Sequence, residues 1–194
     1  MIPYGHQFID DEDIQAVLSV LKSDWLTQGP MVDEFEKKLA SYCGAEHAVV
    51  FSNGTAALMG AYFAIGIKKD DEVISTPLTF AATTNAALWH GARPVFADVQ
   101  EDTGNIDPAL IEALITDKTK AIVPVDYAGH PVEIDEIMRI AKKHNLLVIE
   151  DAAHAIGASI GDRKIGSIAD VTISSFHPVK AMTTGEGGVA FTNR

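Results

Sequence analysis

The chain has 194 residues and a single cysteine, Cys43. An intramolecular disulfide is therefore impossible, and a cysteine-rich zinc site is excluded. Positive charge is also scarce. Lys and Arg total 15 against 27 Asp and Glu, giving a formal net charge of −12. General nucleic-acid binding needs a basic surface, so none is expected. No apolar run approaches the length of a membrane span, so no membrane partner is expected. The N-terminus, Met1-Ile2-Pro3-Tyr4-Gly5-His6, lacks the basic segment leading into an apolar one that marks a signal peptide. These absences favour the cytoplasm. None of the seven histidines forms a metal-type pair on one helix face, so no metal site is expected. Repeats, low-complexity tracts and long linkers are missing as well.

What is there is ordinary for a globular protein: 47% hydrophobic and 22% charged residues. The length allows one large domain with a real core. Asp10 precedes an amphipathic run, Ile14, Val17, Leu18 and Leu21, with Asp13 at the capping-box position. The acids Asp10 to Asp13 read better as helix N-terminal charges than as a metal cluster. After the loop Leu26-Thr27-Gln28-Gly29-Pro30, Val32, Phe35, Leu39 and Tyr42 recur at helical spacing, and Gly44 offers a stop. From about residue 45, strand and helix patterns alternate. Seven strands are expected at 48–51, 72–75, 94–99, 121–125, 146–150, 172–176 and 188–192. Helices are expected at 56–65, 79–90, 107–115 and 133–144. Such alternation implies an α/β fold, with a mostly parallel sheet covered by helices on both faces. The last strand pattern lies two residues before Arg194. Nothing further along the sequence would pack its far side, so the chain reads as a fragment.

The chemistry concentrates at strand ends. Ser174-Ser175-Phe176-His177-Pro178-Val179-Lys180 places one lysine in a loop between two apolar strands, and Gly185-Glu186-Gly187-Gly188 makes a turn just after it. That glycine run opens no helix and follows no first strand, so it is not a dinucleotide fingerprint. Leu146-Leu147-Val148-Ile149-Glu150-Asp151 is an apolar strand ending in acids. A lysine amine that can form an imine, with a carboxylate for a pyridinium nitrogen, makes up two parts of a pyridoxal phosphate site. Ser52-Asn53-Gly54-Thr55 joins a strand to a helix, where free N–H groups can hold phosphate. No lysine follows Gly54, so it is not a Walker motif. Phe80 can pack in a core or stack on a flat heterocycle. Asp151 can cap its own turn or pair with a ring N–H, and His154 lies three residues on.

Together these segments resemble the sugar aminotransferases of the DegT/DnrJ/EryC1/StrS group, which have fold type I pyridoxal phosphate architecture. The matching runs, in family order, are Trp25 to Pro30, Ser52 to Leu58, Thr79-Phe80, Glu150 to Gly157 and Ser175 to Lys180. Val125-Asp126-Tyr127-Ala128-Gly129 and Ile2-Pro3-Tyr4-Gly5 look most like one branch. That branch aminates C4 of a UDP-linked 4-keto-6-deoxy-N-acetylhexosamine on the way to pseudaminic acid.

The resemblance implies roles. Lys180 carries pyridoxal 5'-phosphate covalently and shuttles a proton. Asp151 holds the pyridinium, Phe80 stacks on the ring, and His154 lies near the phenolic oxygen. Gly54, Thr55 and Ser175 hold the phosphate. Tyr4, Asp24, Trp25, Leu26 and Thr27 contact the sugar nucleotide. One departure is Asn53-Gly54, where many relatives read Ser-Gly. The implied organisation is an N-terminal helix and substrate loop at 1–30 and a cofactor-binding large domain at 31–194. A C-terminal small domain is absent. The implied partners are a UDP-sugar, glutamate as amino donor, and a second copy in a homodimer with shared active sites. A sister group that replaces the lysine with histidine dehydrates sugars; Lys180 argues against it. A cysteine desulfurase would need a catalytic cysteine, and Cys43 sits in a helix pattern far from the lysine loop. A non-catalytic cofactor- or sugar-binding paralogue would have no need of both Lys180 and Asp151.

Overall fold

The computed structural model describes residues 6–194. Its elements in chain order begin with α1 (Asp11–Leu21), α2 (Pro30–Cys43), β1 (His47–Phe51), α3 (Gly54–Ala64), β2 (Glu72–Ser75), α4 (Ala82–Trp89) and β3 (Arg93–Phe96). They continue with α5 (Pro108–Ile111), β4 (Thr119–Val123), α6 (Ile134–His144), β5 (Leu147–Asp151), β6 (Ser159–Ile160), β7 (Arg163–Lys164), β8 (Val171–Ser175) and β9 (Gly188–Thr192).

Local chemistry sets the boundaries. At α1 the Asp10 side chain accepts from the Glu12 and Asp13 N–H groups, and Asp13 reaches back to the Asp10 N–H. This reciprocal box satisfies helix-start donors that have no intrahelical partner. Pro30 opens α2, where a missing N–H costs nothing. Gly44 closes it at φ 72°, a left-handed conformation that a Cβ disfavours. Asp107 caps α5 by accepting from Ala109 N–H, ahead of Pro108.

Seven strands form one sheet in the order β1-β9-β8-β5-β4-β2-β3. The pairs β3–β2, β2–β4, β4–β5 and β5–β8 are parallel, whereas β9 runs antiparallel to both β8 and β1. The expected far side of the last strand is therefore not bare. β9 lies inside the sheet, and Val189 and Phe191 are buried. The reading from sequence missed this because β1, which covers that edge, lies far back along the chain. It also missed the hairpin β6–β7, whose two-residue strands are too short for a periodic signal. α4 starts at Ala82 rather than Thr79, leaving Thr79-Phe80-Ala81 as the lead-in, and β3 stops at Phe96.

Strand alternation divides the core into two layers. Val73, Val123, Ile149 and Ile173 pack with Ala57, Leu58, Ala61, Tyr62 and Ala86 of α3 and α4. Ile74, Ile122 and Val148 pack on the other face with Ile111 of α5 and Ile134, Ile137 and Ile140 of α6. Below α2, Leu39, Ala40 and Cys43 meet Val189, Phe191 and Phe176. Each fully buried large apolar side chain contributes roughly 1.5–3 kcal/mol. α1 differs from the other α-helices, because none of its residues is buried. Among the described residues no helix is long and apolar enough to cross a membrane.

Candidate active site

A cavity of about 430 Å³ lies at the carboxyl ends of the parallel strands. Open α/β sheets bind ligands at that edge, because the loops leaving the strands converge there. Gly54 and Thr55 follow β1, Thr79 and Phe80 follow β2, and Val125 follows β4. Asp151 ends β5 and His154 follows it; Ser175 ends β8, with Lys180 just beyond. The structure thus gathers all seven expected catalytic and cofactor residues around one cavity. Asp24, Trp25, Leu26 and Thr27 are exposed and line no part of it. Tyr4 lies outside the described residues.

Asp151 is buried among apolar neighbours of the α3–α4 layer. Thr83 Oγ1 donates to its Oδ2 at 2.6 Å, and the Ala153 N–H donates to Oδ1 at 3.2 Å. The carboxylate therefore caps its turn and also faces the cavity. Thr79 Oγ1 stands 2.7 Å from Thr83 Oγ1, and Tyr62 donates to the Thr83 carbonyl at 2.8 Å. Thr83 is a site residue that sequence reasoning missed. Its only signal is helical spacing from Thr79, which many threonine pairs share. Burial raises the Asp151 carboxyl above its usual range, while Thr83, Ala153 and the charges of His154 and Lys180 oppose the rise. Among the described residues no cation forms a salt bridge with it. A buried carboxylate in that state is best satisfied by a cationic hydrogen-bond donor.

Lys180 sits in a loop pinned at its base. Phe176 N–H donates to the Gly187 carbonyl at 2.8 Å. Thr184 N–H and Thr183 Oγ1 both donate back to the Phe176 carbonyl, at 3.1 and 3.0 Å. Lys180 N–H donates to the His177 carbonyl at 2.9 Å. The amine is half-buried, and desolvation lowers it from the ordinary lysine range against the pull of Asp151. A lowered lysine is more often the free-base nucleophile. Desolvation also lowers His154, and the Lys180 charge adds to that. His177 Nε2 lies 3.8 Å from Glu186 Oε1, and both side chains line the cavity. Glu186 was hidden in a glycine run that reads as a turn.

The opposite wall is an anion cradle. The Asn53 side chain accepts the Ala56 N–H at 2.8 Å and its carbonyl the Ala57 N–H at 3.1 Å, so the Gly54 and Thr55 N–H groups stay available to a ligand. Two glycines let the backbone close up here. A Cβ on Gly54 would come within 3.0 Å of Ser175 Cβ, and one on Gly188 would overlap the Asn53 carbonyl and the Gly54 nitrogen. Gly188 is thus a packing requirement of the cradle. A phosphorylated pyridine fits these residues. Such a group would find phosphate donors at the start of α3 and at Ser175, a partner for its ring nitrogen in Asp151 and an amine for its carbonyl in Lys180.

Fold and site together define an α/β protein that presents one amine and one buried carboxylate beside a helix-start anion cradle. The chain belongs to the DegT/DnrJ/EryC1/StrS aminotransferase family, whose profile matches residues 7–194. It is 50% identical over 196 residues to the UDP-4-amino-4,6-dideoxy-N-acetyl-beta-L-altrosamine transaminase of Campylobacter jejuni, covering 100% of this chain and 52% of that protein. It is 48% identical over 192 residues to the spore coat polysaccharide biosynthesis protein SpsC of Bacillus subtilis, covering 99% of this chain and 49% of SpsC. Among solved structures, the PLP-form of Spr1654 from Streptococcus pneumoniae superimposes with a TM-score of 0.95 at 35% identity, over 100% of this chain and 53% of that one. The fold is accordingly the fold type I architecture of pyridoxal phosphate-dependent transferases. The chain spans about half the length of the curated relatives it matches.

Proposed function

We propose that the protein is a pyridoxal phosphate-dependent aminotransferase acting on C4 of a nucleotide-linked 4-keto-6-deoxy sugar, with glutamate as donor. The observation that carries this reading is the half-buried Lys180 facing the same cavity as the cation-free carboxylate of Asp151. The cofactor, when bound, supplies an electrophilic carbonyl and a ring that accepts electrons. Lys180 Nζ holds it and, once released, moves a proton at the reacting carbon. Asp151 keeps a proton on the ring nitrogen. Phe80, exposed here, covers a ring face, and His154 stands beside the ring oxygen. Gly54, Thr55 and Ser175 bind the phosphate through backbone and hydroxyl donors, without a local basic cluster.

The UDP-linked N-acetylhexosamine substrate is supported by the identity to the Campylobacter transaminase. Near-equal identity to SpsC keeps the sugar itself a matter for experiment. In this reading residues 31–194 form the cofactor domain, and residues 1–30 form a helix and substrate loop at which Tyr4 and 24–27 meet the sugar nucleotide. The protein works in the cytoplasm as a homodimer, which the uncovered apolar face of α1 supports.

The test uses full-length protein. It should show a visible absorption band that bleaches on adding glutamate, and it should aminate one member of a panel of UDP- and dTDP-4-keto sugars. Lys180→Ala should lose the band and the turnover while remaining folded. A folded Lys180→Ala variant with turnover near wild type would refute the assignment.

A further inference from the structure

The Thr83 hydroxyl is completely buried and has more oxygen neighbours than hydrogens to give. Three oxygens surround its Oγ1: Asp151 Oδ2 at 2.6 Å, Thr79 Oγ1 at 2.7 Å and the Phe80 carbonyl at 3.0 Å. A threonine hydroxyl donates one hydrogen and accepts at its lone pairs. The Phe80 carbonyl can only accept, and so can Asp151 once ionised. Those two therefore compete for a single hydrogen.

The surroundings decide between them. The Phe80 carbonyl already receives the Thr83 N–H at 3.1 Å, so it is satisfied without the hydroxyl. Among the described residues Asp151 Oδ2 receives no hydrogen bond except that of Thr83. The Asp151 contact is also the shorter, and it is charge-assisted when the carboxyl is ionised. The hydroxyl hydrogen thus goes to Asp151. Thr83 then has none left for Thr79, so the 2.7 Å contact is a bond from Thr79 O–H to Thr83 Oγ1. Thr79 is half-buried and lines the cavity, on the loop that also carries Phe80. The two hydroxyls tie that loop to the end of β5, from which Asp151 reaches the same cavity.

We propose that Thr79 and Thr83 are positioning residues for Asp151, their hydroxyls forming a one-way relay that keeps the carboxylate ionised and fixed in orientation for the ring nitrogen of the cofactor. A hydroxyl that donates to a carboxylate favours its charged form. The second hydroxyl polarises the first and strengthens that bond. The relay thereby opposes burial, which raises the Asp151 carboxyl. With Oδ2 held by Thr83 and Oδ1 by the Ala153 N–H, the carboxylate cannot rotate without breaking both bonds. Other groups act on Asp151 as well. His154 and Lys180 favour its ionised form from the cavity side. Asp126, whose N–H donates to the Asp151 carbonyl at 3.0 Å, is a completely buried acid that Asp151 repels, and Glu150 beside it in the chain is another buried acid. Tyr62 reaches the Thr83 carbonyl rather than its hydroxyl. The relay is a property of the cofactor-free protein, and only its use in holding the ring rests on the role proposed for Asp151.

The first measurement is made on full-length protein stripped of cofactor. Infrared absorption of the protonated carboxyl, assigned by its loss in Asp151→Asn, follows the Asp151 titration. Thr83→Val keeps the shape and removes the hydroxyl. The titration should move to higher pH, by at least about tenfold in the ionisation constant, the scale of a hydrogen bond to a charged group. Thr83→Ser keeps a hydroxyl and should titrate close to wild type. An unmoved titration in Thr83→Val, or one that Thr83→Ser moves equally, would overturn the relay. Thr79→Val tests the direction. It should move the titration the same way by less, because only the polarisation of Thr83 is lost. A bond running from Thr83 to Thr79 would instead free the Thr83 hydrogen for Asp151, and the titration would move to lower pH, which would overturn the direction. The second measurement is cofactor affinity. Thr83→Val should bind about tenfold more weakly than wild type, and Thr83→Ser nearly as wild type. Wild-type affinity in Thr83→Val beside a clear loss in Asp151→Asn would remove the positioning role. Wild-type affinity in Asp151→Asn would refute the role of Asp151 itself, and with it any use of the relay in holding the ring.

Discussion

The strand-end cavity and the N-terminal arm each begin a helix with a side-chain cap and end in opposite states. Beneath the cavity the core is enclosed: Ile149, Ile173 and Ala57 are fully buried, and even polar Thr83 has no exposed surface. On α1 the periodic residues Ile14, Val17, Leu18 and Leu21 are all exposed, and so are Phe8, Trp25 and Leu26 on either side of it in the chain. Both stretches carry correct start signals, since Asn53 caps α3 as Asp10 caps α1. Capping and amphipathic spacing therefore specify a helix without specifying what covers it. The cavity is built on this chain's own strand ends, whereas the arm presents a face suited to another surface.

The largest effect expected from breaking the enclosed region is at Asp151. Removing one member of a buried charge pair costs about 3–5 kcal/mol. Asp151→Ala also takes from the Thr83 hydroxyl the shorter of its two acceptors, leaving the Phe80 carbonyl at 3.0 Å. In full-length protein the glutamate half-reaction should slow by orders of magnitude, and cofactor affinity should fall with it. Stopped-flow absorbance measures the first and equilibrium titration the second. A rate within tenfold of wild type would mean that Asp151 is only a turn cap.

Next is the cradle. A Cβ at Gly188 would overlap the Asn53 carbonyl and the Gly54 nitrogen, which are backbone and cannot swing aside. Gly188→Ala must push β9 and the start of α3 apart, and overpacking of this kind typically costs about 1–3 kcal/mol. Denaturant unfolding should show that loss. Cofactor affinity should drop in the same range because the phosphate donors move. Gly185→Ala serves as the contrast. Gly185 has open space around it, so only its left-handed φ of 82° is strained, and phosphate binding should be spared. Equal losses of affinity in the two variants would show that the cradle is not the phosphate site.

How much of this was legible in sequence follows the same division. Seven sheet strands, the αL stop at Gly44 and the strand-end positions of Asp151 and Lys180 could be read, because each depends on residues close in sequence. Thr83, Asp126 and the seat of β9 could not. Thr83 reaches Asp151 across 68 positions. Asp126 sits in a segment that reads as a strand end, and its burial depends on β5 and the 130–133 loop closing over it. β9 depends on pairing with β1 from the far end of the chain. Local periodicity carries no information about such partners. The exposure of α1 was hidden for the same reason, since an amphipathic stripe looks identical whether covered or bare.

The smallest effect, and the sharpest test of the comparison, is on that stripe. Val17 and Leu21 are each 60% exposed. Replacing both by lysine removes little packing in this chain. Lysine is a better helix former than valine. A cation at Leu21 also falls in a last turn that has no basic residue, where the helix dipole favours it by about 0.3–1 kcal/mol. In the 194-residue chain the double variant should therefore differ from wild type by no more than about 0.5 kcal/mol, the usual range for surface substitutions. In full-length protein the outcome should invert. If α1 packs on a second copy, two buried ammonium groups oppose association, and sedimentation should show the dimer shifting to monomer at micromolar concentration. Marked destabilisation of the 194-residue chain would mean that α1 already packs within it. An unaltered full-length dimer would mean that the stripe faces neither the partner copy nor its active site.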